Sequence, residues 1–353
     1  MAAPFKLPHR QLQQPGNLLA PHTHVPRHHR LLLPRPARRR PAPFPEHPRS
    51  RSRREIHRHP VTADDLAHCH ARALAAAGRL RLPLRSRVWK GQAGEFQGAG
   101  TGSSLDFQDH RTYVPGDDPR HINWQAYART GQYTMKLYRE EVRPVVDVVL
   151  DASESMFFEP LKATRVADLF YLTVESARHS GAATSVHLVR GDATRTIPPE
   201  LVAAHRWLDE ARSLSARDSA APPDFSRIPF RGNAIRVLIS DLLFPGDPEP
   251  ALRCLAARQG CPILLAPFLQ SEAAPEWTGN YEFVDAERKS RHPHRIEPSV
   301  LRRYRESYIQ HFALWKNACR RHQSRMARVP CEPDFQTSLF AEAVPSGALE
   351  SSK

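Results

Sequence analysis

Apolar runs of strand length alternate along this chain with segments whose apolar residues recur at helical spacing. Val145–Leu150 is six residues long, largely β-branched and interrupted only by Asp147, and Ala234–Ser240 repeats the pattern as Ala-Ile-Arg-Val-Leu-Ile-Ser. Near-continuous apolarity of this kind suits parallel strands covered on both faces. Ser185–Arg190, Thr194–Ile197, Cys261–Pro267, Tyr281–Asp285 and Met326–Val329 read as further strands, with Thr194–Ile197 short enough for a sheet edge. Between them, Ala163–Ser180 places Val166, Phe170, Thr173 or Val174, and Ala177 on one face before Gly181 stops the helix. Leu201–Leu214, Pro248–Gln259 and Asp334–Val344 are further predicted helices. Pro298–His322 is a long one, striped by Leu301, Tyr304, Tyr308, Phe312, Trp315 and Cys319. His205, on the inward side of Leu201–Leu214, reads as a residue at the edge of the core. The alternation predicts an α/β protein with an open, doubly wound sheet.

Upstream the pattern changes. Thr62 is placed to cap a helix that runs to Gly78 with Asp64 and Asp65 in its first turn. The following stretch carries Gly91, Gly94, Gly98, Gly100 and Gly102 without the flanking strand, helix and Lys of a phosphate loop, and reads as turns and loops. Tyr133–Tyr138 and Val142–Leu150 then alternate as strands, so this region is expected to be β-rich and to run directly into the main sheet. The expected division is a tail over 1–60, a small β-rich segment over 61–142, the α/β unit over 143–345 and a tail over 346–353.

Charge sharpens that division. The net charge is +14 over 353 residues, yet residues 1–60 hold 13 Lys and Arg against 2 acids, leaving about +3 for the rest. This first segment is interleaved with Pro, contains His22, His24, His28, His29 and Arg38-Arg39-Arg40, and has no amphipathic period, so a disordered basic tail is expected. Such a tail can contact phosphates. It lacks the regularly placed aromatics of a single-strand binder, so nucleic-acid binding stands only as a minor alternative. No apolar run reaches the length of a secretory or membrane segment, the longest near the start being Leu31-Leu32-Leu33; a cytoplasmic protein is expected. Cys69, Cys254, Cys261, Cys319 and Cys331 show no zinc spacing and read as reduced, mostly buried thiols.

The candidate chemistry lies where the first predicted strand ends. Asp151, Ser153 and Ser155 follow Leu150 at alternate positions, a carboxylate and two hydroxyls of the type that hard divalent cations take as ligands. Asp241 ends the Ala234–Ser240 strand and supplies a second acid; Asp247 lies further into the same loop. In open α/β sheets ligands bind outside the carboxyl ends of strands, which is where these residues fall. Upstream, Pro115-Gly116 sets a turn, Asp117 and Asp118 can cap and accept, Arg120 can reach back to a carboxylate, and Trp124 offers a large anchor. The Asp and His121 chemistry of that block lacks a nucleophile or oxyanion donor, and it reads as a structural or docking knot.

Asp-x-Ser-x-Ser at a strand end resembles the metal-ion-dependent adhesion site of von Willebrand factor A domains. The block Tyr113-Val114-Pro115-Gly116-Asp117-Asp118-Pro119-Arg120-His121-Ile122-Asn123-Trp124, followed by Ala128-Arg129, Lys136 and Glu140-Glu141, resembles the signature of the bacterial DUF58 family. The resemblance spans about residues 61–345. It implies a von Willebrand A-like domain and a Mg²⁺ or Mn²⁺ ion held by Asp151, Ser153 and Ser155, with Asp241 acting through water. It also implies a non-enzymatic interaction module whose metal takes a partner's carboxylate, and a MoxR-type AAA+ ATPase as that partner, with a membrane-associated complex left open. The alternative from another class is a metal-dependent hydrolase or phosphotransferase using Asp151 and Asp241; Ser153 stands where an Asp-x-Asp phosphotransferase has its second acid. Two departures stand out. Asn123 replaces the family's usual Asp before the Trp, and residues 213–232 contain no Thr where the family presents one in a Gly-rich loop. Ser213, Ser215 or Ser219 could supply that hydroxyl, and the helix of that region is expected to be lost.

Overall fold

In the computed structural model the described residues are 33–36, 61–84, 93–101, 107–332 and 334–351. Most of residues 1–60, with Gly91 and Gly102, lie outside them, and the expectation for the tail therefore lies outside the described residues. Leu33–Pro36 (β1) is described, and it is paired, residue for residue, with Tyr281–Val284.

Thr62 caps Ala63–Ala77 (α1) as its sequence predicts, its hydroxyl accepting from Asp65 N while the Asp65 carboxylate accepts from Thr62 N. Leu80–Arg81 (β2) follows. Ala93–Thr101 (β3), Phe107–Thr112 (β4) and Thr134–Val142 (β5) make an antiparallel sheet in the order β3-β5-β4, with the short helix Trp124–Thr130 (α2) leading into β5. The glycine-bearing stretch expected as loop is therefore partly strand: Gly94, Gly98 and Gly100 sit in β3, whose register against β5 is irregular, as glycine-rich strands tend to be.

Val145–Asp151 (β6) opens the main unit. Glu154–Phe157 (α3), Pro160–His179 (α4), Ala183–Arg190 (β7), Ala193–Ile197 (β8), Pro199–Ala203 (α5), Trp207–Ser213 (α6) and Ile235–Ile239 (β9) follow. After these come Pro248–Ala256 (α7), Cys261–Phe268 (β10), Gln270–Ala273 (α8), Gly279–Val284 (β11), Arg291–Ile296 (β12), Pro298–Arg321 (α9), Arg325–Pro330 (β13), Phe335–Ser338 (α10) and Glu350–Ser351 (β14). Six strands form one sheet in the order β13-β10-β9-β6-β7-β8, parallel throughout except for the antiparallel edge strand β8. β6 is central, flanked by the next strand on one side and by β9 on the other, so the winding reverses between β6 and β9. That reversal opens a crevice at their carboxyl ends.

Alternation along the strands serves two cores. Val146, Val148 and Leu150 face a layer built from α4, α1 and the C-terminal Phe335, Leu339, Ala343 and Leu349. Val149, Leu238 and Leu264 face the stripe of α9, where Tyr308, Phe312, Trp315 and Cys319 are buried. Asp147 shares the second face. It is fully buried and receives Arg231 through Nε at 2.7 Å and through the backbone N–H at 3.1 Å.

Four expectations give way. Residues 61–84 do not group with the small β-rich segment: α1 packs along α4 and buries Leu66, Cys69, Ala73, Ala76 and Ala77 in the main core. This explains the polar outer side of α4, where Asp168 meets Arg72 at 2.9 Å and Glu175 meets His70 at 2.9 Å. Nor is 346–353 simply a tail, since Ala348 and Leu349 are buried and β14 pairs with β2. The strand at 281–285 leaves the main sheet and pairs with β12, which the sequence reading did not separate from its surroundings. The helix expected over 201–214 breaks into α5 and α6 at His205, whose φ is +58°. His205 Nδ1 lies 2.6 Å from the Tyr171 hydroxyl at the core edge, and Trp207 donates to the same hydroxyl at 2.9 Å.

Candidate functional site

Because β6 and β9 are hydrogen-bonded neighbours, the first polar residues after their apolar runs come together at the crevice. Asp151 and Asp241, 90 positions apart in the chain, thereby reach the same edge of the sheet. Asp151 is buried; its Oδ1 accepts from Ser153 N at 3.0 Å and its Oδ2 from the Ser240 hydroxyl at 2.7 Å. The Ser240 oxygen in turn accepts from Leu242 N at 3.1 Å, stitching the two strand ends into one network. Leu242 has φ +59°, a left-handed backbone that a branched side chain rarely adopts. Ser153 is buried and its hydroxyl lies 3.1 Å from that of the half-buried Ser155.

Charged side chains surround the loop. Glu287, in the turn between β11 and β12, accepts from Ser155 N at 3.1 Å and faces Arg190 at 3.4 Å. Arg190 also reaches Glu154 at 3.2 Å, and Lys289 reaches the other Glu154 oxygen at 3.4 Å. Asp241 takes a different partner: Lys162, near the start of α4, brings its Nζ to 2.9 Å from Asp241 Oδ2 and to 2.9 Å from Glu272 Oε1. The remaining oxygens accept from backbone amides, Asp241 Oδ1 from Leu243 at 3.0 Å and Glu272 Oε2 from Leu269 at 2.9 Å. Burial pulls the Lys162 pKa down, but the facing Asp241 and Glu272 carboxylates outweigh it and hold the ammonium above its ordinary range.

The fit to a divalent ion is uneven across the expected ligands. Two oxygen ligands at about 2.1 Å and right angles from Mg²⁺ stand about 3.0 Å apart, and the Ser153 and Ser155 hydroxyls have that spacing. Asp151 is close by but uses both oxygens within the protein. Asp241 faces an ammonium where the expectation places an ion. Ser213, considered as the hydroxyl that replaces the missing Thr, accepts from Arg195 at 2.9 Å and donates to Glu210 O at the end of α6. In the rest of that stretch the one helical turn is the 3₁₀ segment Phe225–Arg227. Among the described residues no group of three or more His, Cys, Asp or Glu side chains is arranged to hold a metal.

The upstream block also takes shape. Asp117 receives Arg111 through two bonds of 2.7 and 2.6 Å, while Arg120 closes on Asp118 at 2.6 Å, the carboxylate return its sequence suggests. The Arg120 bond holds Asp118 down to a pKa of about 2. Asn123 caps α2, accepting from Ala126 N at 3.2 Å, with its Nδ2 2.6 Å from His110. Trp124, the large anchor of the block, is 58% exposed and stands edge-on to Tyr127 and Tyr133.

Lys162, Ser240, Glu272, Glu287 and Arg190 escaped the sequence reading. Lys162 left a trace there, since helical spacing aligns it with Val166 and Leu169, a charge on an inward face. Glu272 and Glu287 left none, because their roles depend on how distant loops pack over the crevice.

The fold and edge define an α/β protein with a polar loop cluster at its topological switch point. Within that class, the family described as "Protein of unknown function DUF58" matches residues 109–313, more than half of the chain, and the chain belongs to it. It is 26% identical over 201 residues to Uncharacterized protein Mb1516 of Mycobacterium bovis and, to the same extent, to Uncharacterized protein Rv1480 of Mycobacterium tuberculosis, covering 52% of this chain. The chain spans 62% of the length of these relatives. Among solved structures it is similar to a conserved hypothetical protein BatB from Bacteroides thetaiotaomicron, with 14% identity and a TM-score of 0.30 over 57% of this chain and 98% of that one. An aerotolerance-related membrane protein from Bacteroides fragilis gives 15% identity and a TM-score of 0.26 over 50% of this chain and 99% of that one. No helix among the described residues is long and apolar enough to cross a membrane.

Proposed function

We propose that this chain is a non-enzymatic interaction module that takes a protein partner on the carboxyl edge of its central sheet, at the loop Asp151–Ser155 and the turn Asp285–Ser290. One observation carries this reading: the edge is hydrogen-bonded from inside yet presents charge at its surface. Asp151, Ser240 and Glu287 pin the loop from inside, while Glu154 and Lys289 remain 39% and 60% exposed at its surface. A preorganised charged rim favours specific docking because little side-chain freedom has to be lost on binding. The strand order, with its antiparallel edge strand, supports reading the unit as von Willebrand A-like. Membership of the DUF58 family supports a MoxR-type AAA+ ATPase as the partner, in the manner of an adaptor.

A hydrolase or phosphotransferase is disfavoured by the same geometry. Asp241 is neutralised by an ammonium and Asp151 is bound on both oxygens, which leaves neither placed as a general base. The Ser153 and Ser155 hydroxyls face each other, and among the described residues neither is hydrogen-bonded to a His that would activate it. The test is biolayer interferometry between the full chain and a MoxR-type ATPase from the same organism, with the double charge reversal Glu154→Arg/Lys289→Glu. Binding weakened at least tenfold by the reversal supports the edge as the interface. Unchanged affinity rejects it.

A further inference from the structure

Lys162 is the most unusual group at this edge. Its side chain is 2% exposed, and its ammonium bridges two carboxylates that are themselves 4% exposed, on three separate segments: α4, the loop after β9, and α8. Each carboxylate directs one oxygen to the ammonium and the other to a backbone amide. A Lys buried this deeply persists only when fixed partners replace its water, and here those partners include the residue the resemblance assigns to an ion. A dication brought to Asp241 Oδ2 would stand beside that ammonium where screening is weak, and the repulsion would have to be met before any ligand bond counted. At 2% exposure the Lys162 side chain meets almost no solvent that could screen that repulsion.

We propose that Lys162 is the resident cation of this site. Its ammonium supplies, as part of the chain, the positive charge that a divalent ion would otherwise bring to Asp241, and the edge is held in its docking geometry without a dissociable metal. The consequence for docking rests on the interaction reading above; the charge assignment itself stands on the Lys162, Asp241 and Glu272 geometry.

The experiment is calorimetric titration and thermal unfolding of the full chain with MgCl₂ and MnCl₂. The expected result is no saturable heat and no change in Tm for the wild type. Lys162→Met leaves two carboxylates without their cation, and it should unfold at lower temperature and regain about 5 °C in saturating Mn²⁺. Lys162→Met/Glu272→Gln keeps the net charge of the cluster, protects against outright misfolding of the single variant, and should show the same gain. Saturable wild-type binding that Asp151→Ala abolishes overturns the proposal. So does a double variant that folds and gains no response to either ion. Partner binding read with and without EDTA separates the two readings. Loss of binding in EDTA sinks the Lys162 assignment and leaves the interface standing, whereas indifference to the Glu154/Lys289 reversal does the opposite.

Discussion

Removing Arg231 tests how the sheet tolerates a carboxylate in its central strand. Asp147 has no exposed side-chain surface, and Arg231 approaches it through Nε at 2.7 Å and Nη2 at 2.6 Å. The same Nη2 donates to Val146 O at 2.7 Å and Ala183 O at 3.0 Å, tying β6 to the start of β7. Arg231→Ala deletes these contacts and keeps the residue-231 backbone N–H, at 3.1 Å from the carboxylate. Breaking a buried pair from one side costs about 3–5 kcal/mol, because a desolvated charge remains. The Arg231 side chain is 33% exposed, so water can enter the space it vacates, which places the cost near the lower end, about 3 kcal/mol. For a unit of this size that corresponds to a fall in Tm of about 6–12 °C. Urea unfolding followed by circular dichroism reads the change as a lower midpoint at constant slope. Asp147→Leu/Arg231→Met, which replaces both partners by apolar groups, should recover most of the loss. A deficit for Arg231→Ala below about 1 kcal/mol, the range of exposed pairs, would refute the reasoning, as would a double variant no more stable than the single one.

Three further outcomes follow from buried groups elsewhere. His187 is buried, its Nδ1 lies 3.0 Å from the Thr196 hydroxyl, and its Nε2 meets no hydrogen-bond partner among the described residues. Burial holds its pKa below the ordinary 6.5 despite the opposing field of Asp147. The folded state therefore binds fewer protons than the unfolded one, and stability declines as pH falls from 6.5 toward the folded pKa. His187→Leu should flatten that part of a stability curve measured by urea titration at a series of pH values; an unchanged slope counts against it. At Gly260 an added Cβ would lie 2.6 Å from Arg236 Nη1, which is buried and donates to Leu255 O at 2.8 Å. Gly260→Ala should therefore cost about 1–3 kcal/mol, checked by the same unfolding assay. Finally, burial pushes the thiols of Cys69, Cys319 and Cys331 up to about 12. Iodoacetamide followed by mass spectrometry should mark the half-buried Cys254 and Cys261 first and reach the other three only on unfolding.

The sheet was legible because β-branched runs such as Val145–Leu150 and Ile235–Ile239 have only one efficient burial, between two layers. Asp151 and Asp241 were legible for a related reason: each is the first acid beyond an apolar strand, where a parallel sheet exposes its carboxyl ends. What local pattern could not supply was the choice of partner across long separations. Asp147 was visible as an interruption, but Arg231 lies 84 positions away and its neighbours carry no sign of the pairing. The outer face of α4 carries no local sign of its partner either, since Asp168 and Glu175 meet Arg72 and His70 only because α1 lies over them. Asp147, Lys162 and Arg236 share one property: each is a charge inside an otherwise apolar period, and each is buried against groups from a distant segment. A local rule broken in this way is expected where a fold is tied together or where it functions. Asp147 and Arg236 lie within strands of the sheet and tie β6 to residue 231 and β9 to the end of α7. Lys162 sits instead at the carboxyl edge with Asp241, the position at which a sheet of this topology presents a ligand. Of the three, it is the charge whose removal should alter what the protein binds as well as how firmly it folds.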